Sequence, residues 1–318
     1  MPPSSRGSPY LRGWFRALLL LLVLLPASSW ARQSLLLVLS QDSPPYHELS
    51  SALLQRLPLE RWQLSSVLAD QYSPTAVQAD LVVTVGAQAT REVLHGPLSW
   101  PVLSVLIPRQ TFNSLSSQPA LLSRRERGLL SAIYLEQPVA RQLRLAQLIS
   151  PSIKRMGVVL GPNSDDQLPA IASALDAMAW QQRLAQFRYN ENPIRLLEPL
   201  SESSDAILVL PDKAEFNRSI SKWLLLLCYR RNIPLIGFSS RYVDAGATAA
   251  VFSTPVSIAK DAAAWLERWY SQQAKRLPAP AYPLFFEIRT SLQAAQSIGL
   301  SLPSVAEIEA GMSRDGRL

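Results

Sequence analysis

Two hydrophobic patterns alternate along the chain. Short unbroken apolar runs recur, and between them lie segments whose apolar residues return every three or four positions. The first pattern suits strands covered on both faces; the second suits amphipathic helices. Strands are predicted over 34–40, 62–69, 80–86, 101–108, 129–136, 155–161, 183–190, 205–211, 233–238, 247–252 and 282–290. A helix over 46–57 places Leu49, Leu53, Leu54 and Leu57 on one face, and another follows the strand at 80–86. Pro138 opens a third helix with Val139, Leu143, Ala146 and Ile149 in one stripe. Leu168, Ile171, Leu175 and Met178 mark a fourth; Phe216, Ile220, Trp223, Leu224 and Leu227 mark a fifth. Thr254 is placed to cap a sixth, with Pro255 in its first turn and Ile258, Ala262, Trp265, Leu266 and Trp269 inward. A last helix over 291–299 closes on Gly299.

Strands alternating with helices predict an α/β protein with doubly wound parallel sheets. The number of strands fits two sheets better than one, and 318 residues suit two domains. In such sheets, ligands bind beyond the carboxyl ends of the strands, near helix N-termini. Asp212 stands at that point, after the apolar run Ala206-Ile207-Leu208-Val209-Leu210 and Pro211. Position alone leaves two roles open for it: ligand contact, or cap of a helix starting at Ala214.

The first 31 residues read differently. Arg6, Arg12 and Arg16 precede a short apolar run, and small residues follow at Ser29 and Ala31. That is the pattern of a cleavable secretory signal peptide, with cleavage expected after Ala31. The run is short for a membrane span of ~20 residues. Loss of those three arginines lowers the formal charge of +7 to about +4. The residual basicity is mild. The cluster at 123–127 reads as a polar loop, and no basic stripe interleaved with aromatics points to nucleic acid. Cys228 is the only cysteine, so no internal disulfide forms, and its apolar helix marks it as buried. No cysteine lies at the signal boundary to carry a lipid.

Catalytic patterns are missing. The two histidines, His47 and His95, belong to no metal-binding or triad motif, and no phosphate-binding glycine loop occurs. Asp165 and Asp166 precede a helix, where its dipole favours negative charge. No cofactor, metal or catalytic residue is expected, and the chain does not read as an enzyme.

Four stretches carry a family likeness: 156–164 (MGVVLGPNS), 204–212 (SDAILVLPD), 232–251 (NIPLIGFSSRYVDAGATAAV) and 286–303 (FEIRTSLQAAQSIGLSLP). In this order and spacing the chain resembles the ABC-transporter substrate-binding family, with the type I periplasmic-binding-protein fold. The likeness covers residues from about 130 to 303. It implies two lobes joined by three crossovers, near 129–136, 250–254 and 282–287. The corresponding expectation is a signal peptide at 1–31, a first lobe of 32–130 and 253–282, and a second lobe of 131–252 and 283–318. In amino-acid-binding relatives, the aspartate at the position of Asp212 meets the ligand's amino group. The N-terminal third departs from the pattern: IPRQTF replaces the usual Asp-Pro after the fourth strand, and the helix start that often offers Ser or Thr reads Gly86-Ala87-Gln88-Ala89-Thr90. Further along, Ser131-Ala132 replaces Thr-Gly and Ser291 replaces Asn.

The expected ligand contacts are Ser40, Gln41 and the amides of Ala87 and Gln88 from the first lobe. From the second come Tyr134, Asn163, Ser164, Asp212 and Ser239. The expectation is a periplasmic protein that closes on a small polar solute and delivers it to an inner-membrane ABC permease. The departures motivate an alternative, an envelope accessory or sensor protein serving a membrane partner such as an outer-membrane receptor. A two-lobed transferase is a third reading, for which the chain offers no convincing base.

Overall fold

The computed structural model describes residues 32–75, 78–188, 192–212, 218–272 and 275–314. The expected signal peptide, Phe216 and the expected helix start at Ala214 lie outside them. No helix among the described residues is long and apolar enough to cross a membrane.

The first sheet contains β1 (Gln33–Leu39), β2 (Trp62–Leu68), β3 (Leu81–Val85), β4 (Val102–Ile107) and β5 (Leu130–Tyr134). Their order is β2-β1-β3-β4-β5, all parallel. Four helices connect them: α1 (Pro44–Leu54), α2 (Ala87–His95), α3 (Arg109–Leu115) and α4 (Pro119–Glu126).

The second sheet holds β6 (Arg155–Leu160), β7 (Gln181–Gln186), β8 (Ala206–Val209), β9 (Leu235–Gly237), β10 (Ala249–Phe252) and β11 (Glu287–Thr290). Its order is β11-β10-β9-β8-β6-β7, with only β11 antiparallel. Its helices are α5 (Val139–Ile149), α6 (Leu168–Ala177), α7 (Pro193–Ser203), α8 (Arg218–Arg231) and α9 (Ser240–Asp244). The chain continues through α10 (Pro255–Ser271), α11 (Leu292–Ser297) and α12 (Val305–Arg314).

The unbroken apolar runs have a direct cause. Successive side chains of a strand point to opposite faces, and here helices cover both faces. In β1, Leu35, Leu37 and Leu39 enter one core, with Leu49, Leu53 and, from α10, Ile258, Ala262 and Leu266. Leu36 and Val38 enter the core on the other face, with Val93 and Phe112. β8 is divided likewise: Ala206 and Leu208 face α5, while Ile207 and Val209 face α7 and α8. Thus α10 follows β10 in sequence yet packs on the first sheet.

The lobes are joined by three crossings, at residues 135–138, 253–254 and 282–286. Side chains tie these together. Gln137 Nε2 donates to Ser253 Oγ at 2.6 Å, linking the first crossing to the second. Arg141, 4% exposed, donates to Gln137 Oε1 and to Pro283 O at 2.8 Å, and stacks over Phe286. Asp261, 1% exposed, accepts from the amides of Leu284 and Phe285, each at 3.1 Å. Burial lowers the pKa of Arg141 and raises that of Asp261, and their attraction opposes both shifts. The hinge is thus pinned through backbone groups.

Several local expectations differ from the structure. The cluster at 123–127 is not a polar loop: most of it lies in α4, where Arg124 donates to the carbonyls of Leu98 and Trp100. The segment 282–290 is not one strand. Ala281 bridges Ile133 of the first sheet, so the chain crosses over before β11 forms. Trp223 and Leu54 stand exposed, at 38% and 47%, because both helices bury a narrower stripe than periodicity suggests. Helices α3, α4, α7, α9 and α12 are not marked by the hydrophobic pattern, since their apolar spacing is short or mixed.

Candidate functional site

A cavity of about 500 Å³ opens between the lobes, against the first two crossings. Its size lies within the usual range for small-molecule pockets, ~300–1,000 Å³. The first lobe contributes Pro108 to Thr111, where β4 gives way to α3. The first crossing adds Leu135, Glu136 and Gln137, with Gln142 from α5 behind. Asn163, Gln167, Pro211, Phe238, Ser239 and Arg241 line the second-lobe wall, and residues 251–255 close the back.

One ion pair spans the opening. Arg109 Nη2 of the first lobe meets Asp166 Oδ2 of the second at 2.7 Å. The same arginine is held by its main chain, whose N–H donates to both Glu136 carboxylate oxygens, at 3.1 and 3.0 Å. Burial pushes the Glu136 carboxyl above the ordinary glutamate range, and these hydrogen bonds only partly offset that. Tyr134 and Tyr282 lie behind, their rings edge-to-face at 5.4 Å. Burial raises both phenols, and the charge of Arg109 opposes the shift.

Of the nine expected contacts, Asn163 and Ser239 line the cavity. The other seven do not. Ser40 is buried and its Oγ accepts from the amide of Ala89 at 2.9 Å, so it caps α2. Gly86, the residue before α2, has φ +92°, and a Cβ there would stand 2.5 Å from Ser40 Oγ. Ser40 thus takes the Ala89 amide, while Ala87 is half-buried and Gln88 exposed, and neither lines the cavity. Gln41 is exposed to solvent away from the cavity. Tyr134 is 6% exposed and packs on Phe112 and Tyr282.

Asp212 is turned into its own lobe. Its Oδ2 accepts from the Asn163 amide at 2.8 Å and from Ser164 Oγ at 2.9 Å. Its Oδ1 accepts from Asn163 Nδ2 at 3.1 Å. Asp212 is 4% exposed and Ser164 is fully buried. This carboxylate knots the loops after β6 and β8 and holds Asn163 at the cavity wall. Among the described residues three hydrogen bonds already engage both of its carboxylate oxygens.

The missed residues share one feature. Arg109, Gln110, Glu136, Gln137, Gln142 and Arg241 lie in or beside loops and crossings, where no periodicity marks them. Both strand orders reverse direction beside the first strand of each sheet, and Ser40, Ala87, Asn163 and Asp212 lie there, as expected of binding crevices. The crossings, however, leave from β5 and β10. The space enclosed by both lobes is therefore displaced toward β4, β5 and the hinge.

No family model and no curated protein matches the sequence. Solved structures do. The ligand-free, open structure of a substrate-binding protein with adhesive properties from Clostridium difficile aligns at TM-score 0.68 and 15% identity, over 86% of this chain and 97% of that one. The ABC domain in complex with L-Trp from Streptococcus pneumonia aligns at TM-score 0.55 and 14% identity, over 88% and 98%. An arabinose-binding protein from Geobacillus stearothermophilus aligns at TM-score 0.53 and 9% identity, over 83% and 99%. These likenesses span nearly the whole of each relative, and with two parallel sheets and three crossings the chain has the two-lobed type I periplasmic-binding-protein fold.

Proposed function

We propose that this chain is an extracytoplasmic solute-binding protein that closes its lobes on a small molecule and presents it to an ABC permease. The observation that carries the reading is the cavity at the hinge, lined from both lobes and bridged by Arg109 and Asp166. A solute touching both walls favours the closed form by its differential affinity for that form. The signal-like first 31 residues and the absence of a boundary cysteine support release into the periplasm without a lipid anchor. The contact set is revised to Asn163 and Ser239 together with Arg109, Glu136, Gln137, Gln142 and Arg241. Ser40 and Asp212 position loops.

Thermal denaturation of the purified protein against a library of amines, amino acids, sugars and carboxylates tests this, with solution scattering for compaction. A rise in melting temperature together with a smaller radius of gyration is expected for at least one solute. A library-wide absence of both, with nothing small released on denaturation, would end the reading.

A second reading has its own observation. The first-lobe groups Ser40, Gln41, Ala87 and Gln88 contribute nothing to the cavity, and α8 exposes Trp223, Leu226 and Tyr229 in one stripe. An accessory protein that serves a membrane partner would use such a face. A permease and an ATPase encoded beside the gene favour transport over this alternative.

A further inference from the structure

Two acceptors near the first crossing stand out in the cavity, whose lining also holds the cations Arg109 and Arg241 and one carboxylate, Glu136. Two carboxylates, Glu136 and Asp166, stand near one guanidinium. Asp166 takes the guanidinium of Arg109 in the ion pair, while Glu136 accepts from the main-chain N–H groups of Arg109 and of Glu136 itself. Among the described residues no cation lies within ion-pair distance of Glu136. A carboxylate removed from water without a matching cation is costly, and a positive group beside it recovers that cost.

Gln142 supplies an independent sign. It is 2% exposed, it lines the cavity, and its Oε1 has no hydrogen-bond partner. Its orientation is fixed, because Nε2 donates to Gln137 O at 3.1 Å. A flipped amide would set two oxygens against each other. Buried acceptors without donors are rare in folded proteins and call for an explanation. Gln142 Oε1 has no donor, and Glu136 has backbone donors but no ion-pair partner among the described residues; both belong to the segment that runs from the first crossing into α5. Phe238 and Phe252 are also in the lining, and aromatic residues suit a cationic guest.

An anion finds less. The planar fork of Arg109, best suited to a carboxylate, is already occupied by Asp166. Arg241 also lines the cavity, but it stands exposed on α9, where its charge is hydrated and screened.

We propose that the cavity takes an N–H-bearing cation without a carboxylate, a primary amine or a guanidine, received by the Glu136 carboxylate and the Gln142 amide oxygen. This rests on the cleft being the binding site.

The test is calorimetry on the mature protein with agmatine, L-arginine, choline, succinate and ribose as probes. Agmatine should bind at least tenfold more tightly than L-arginine, and choline, which lacks N–H donors, should bind weakly. Glu136→Gln keeps size and should weaken agmatine roughly tenfold or more, the usual effect of losing a charged hydrogen bond. Gln142→Met, which keeps volume and removes the acceptor, should weaken it less. Circular dichroism shows that each variant is folded. Asp166→Asn should narrow the gap between agmatine and L-arginine by releasing Arg109. Tightest binding of succinate or ribose, or agmatine binding indifferent to Glu136→Gln, would overturn the cation inference and leave the cleft as a site. Binding of none of the five overturns the cation inference; if the wider library is silent too, the binding-protein reading falls with it.

Discussion

Arg109 and Asp166 meet at 2.7 Å across the cleft, one from each lobe. No other ion pair among the described residues joins the two walls of the cavity. The side chains are 20% and 44% exposed, so water weakens the attraction. An exposed pair of this kind contributes about 0.5 kcal/mol. Asp166→Asn is therefore expected to shift the closed-to-open ratio about twofold toward open, and added salt to do the same to the parent protein. Paired spin labels, one on each lobe, would report the distance distribution. An unchanged distribution in both experiments removes the pair from any role in closure.

Asp212 is expected to matter for folding more than for binding. Its three hydrogen bonds to described residues hold the loops after β6 and β8 together in a buried setting. Asp212→Ala leaves the Asn163 amide without its acceptor and should cost about 3 kcal/mol. Asp212→Asn turns an acceptor into a donor facing donors and should cost about half that. Urea unfolding midpoints measure both. A midpoint unchanged in Asp212→Ala would show that the loop knot contributes nothing.

Asp205 should account for part of any acid lability. Burial alone would raise its pKa, but hydrogen bonds from the Arg155 guanidinium and the amides of Lys154 and Arg155 outweigh burial and hold it below the ordinary carboxylate range. A carboxyl with a lower pKa in the folded state binds its proton more readily when unfolded. Its stabilisation is therefore present above the ordinary carboxylate pKa and fades as pH falls through the depressed native value. Asp205→Asn should be clearly less stable than the parent at about pH 7 and nearly equal to it at about pH 2. Parallel stability curves across that range would contradict the assignment.

Cys228 should be chemically silent in the native protein. It is 3% exposed in the core under α8, and burial pushes its thiol pKa up, away from the reactive thiolate. A colorimetric thiol reagent at neutral pH should label it only after denaturation. Stoichiometric labelling of the folded protein within minutes would show that α8 opens readily.

What was legible in the chain followed from local rules. The runs in β1 and β8 announce strands because both faces of a parallel sheet are covered, so no polar residue interrupts them. Thr254 and Pro255 announce the start of α10 because helix ends need caps, and Thr254 Oγ1 does accept from the Ser257 amide. From these rules two doubly wound sheets follow. Where α10 packs does not: it belongs by sequence after β10 and by contact to β1, and only the three crossings bring it there. Ser40 and Asp212 illustrate the same limit. Their sequence places them correctly at the carboxyl ends of strands, but a hydroxyl or carboxylate at that point can face the cleft or turn back to the backbone. Tertiary packing turned both back, onto Ala89 and Asn163. Arg109, Glu136 and Gln142 took the cavity instead, because a hinge fixes which loops face each other and sequence periodicity carries no record of that distance.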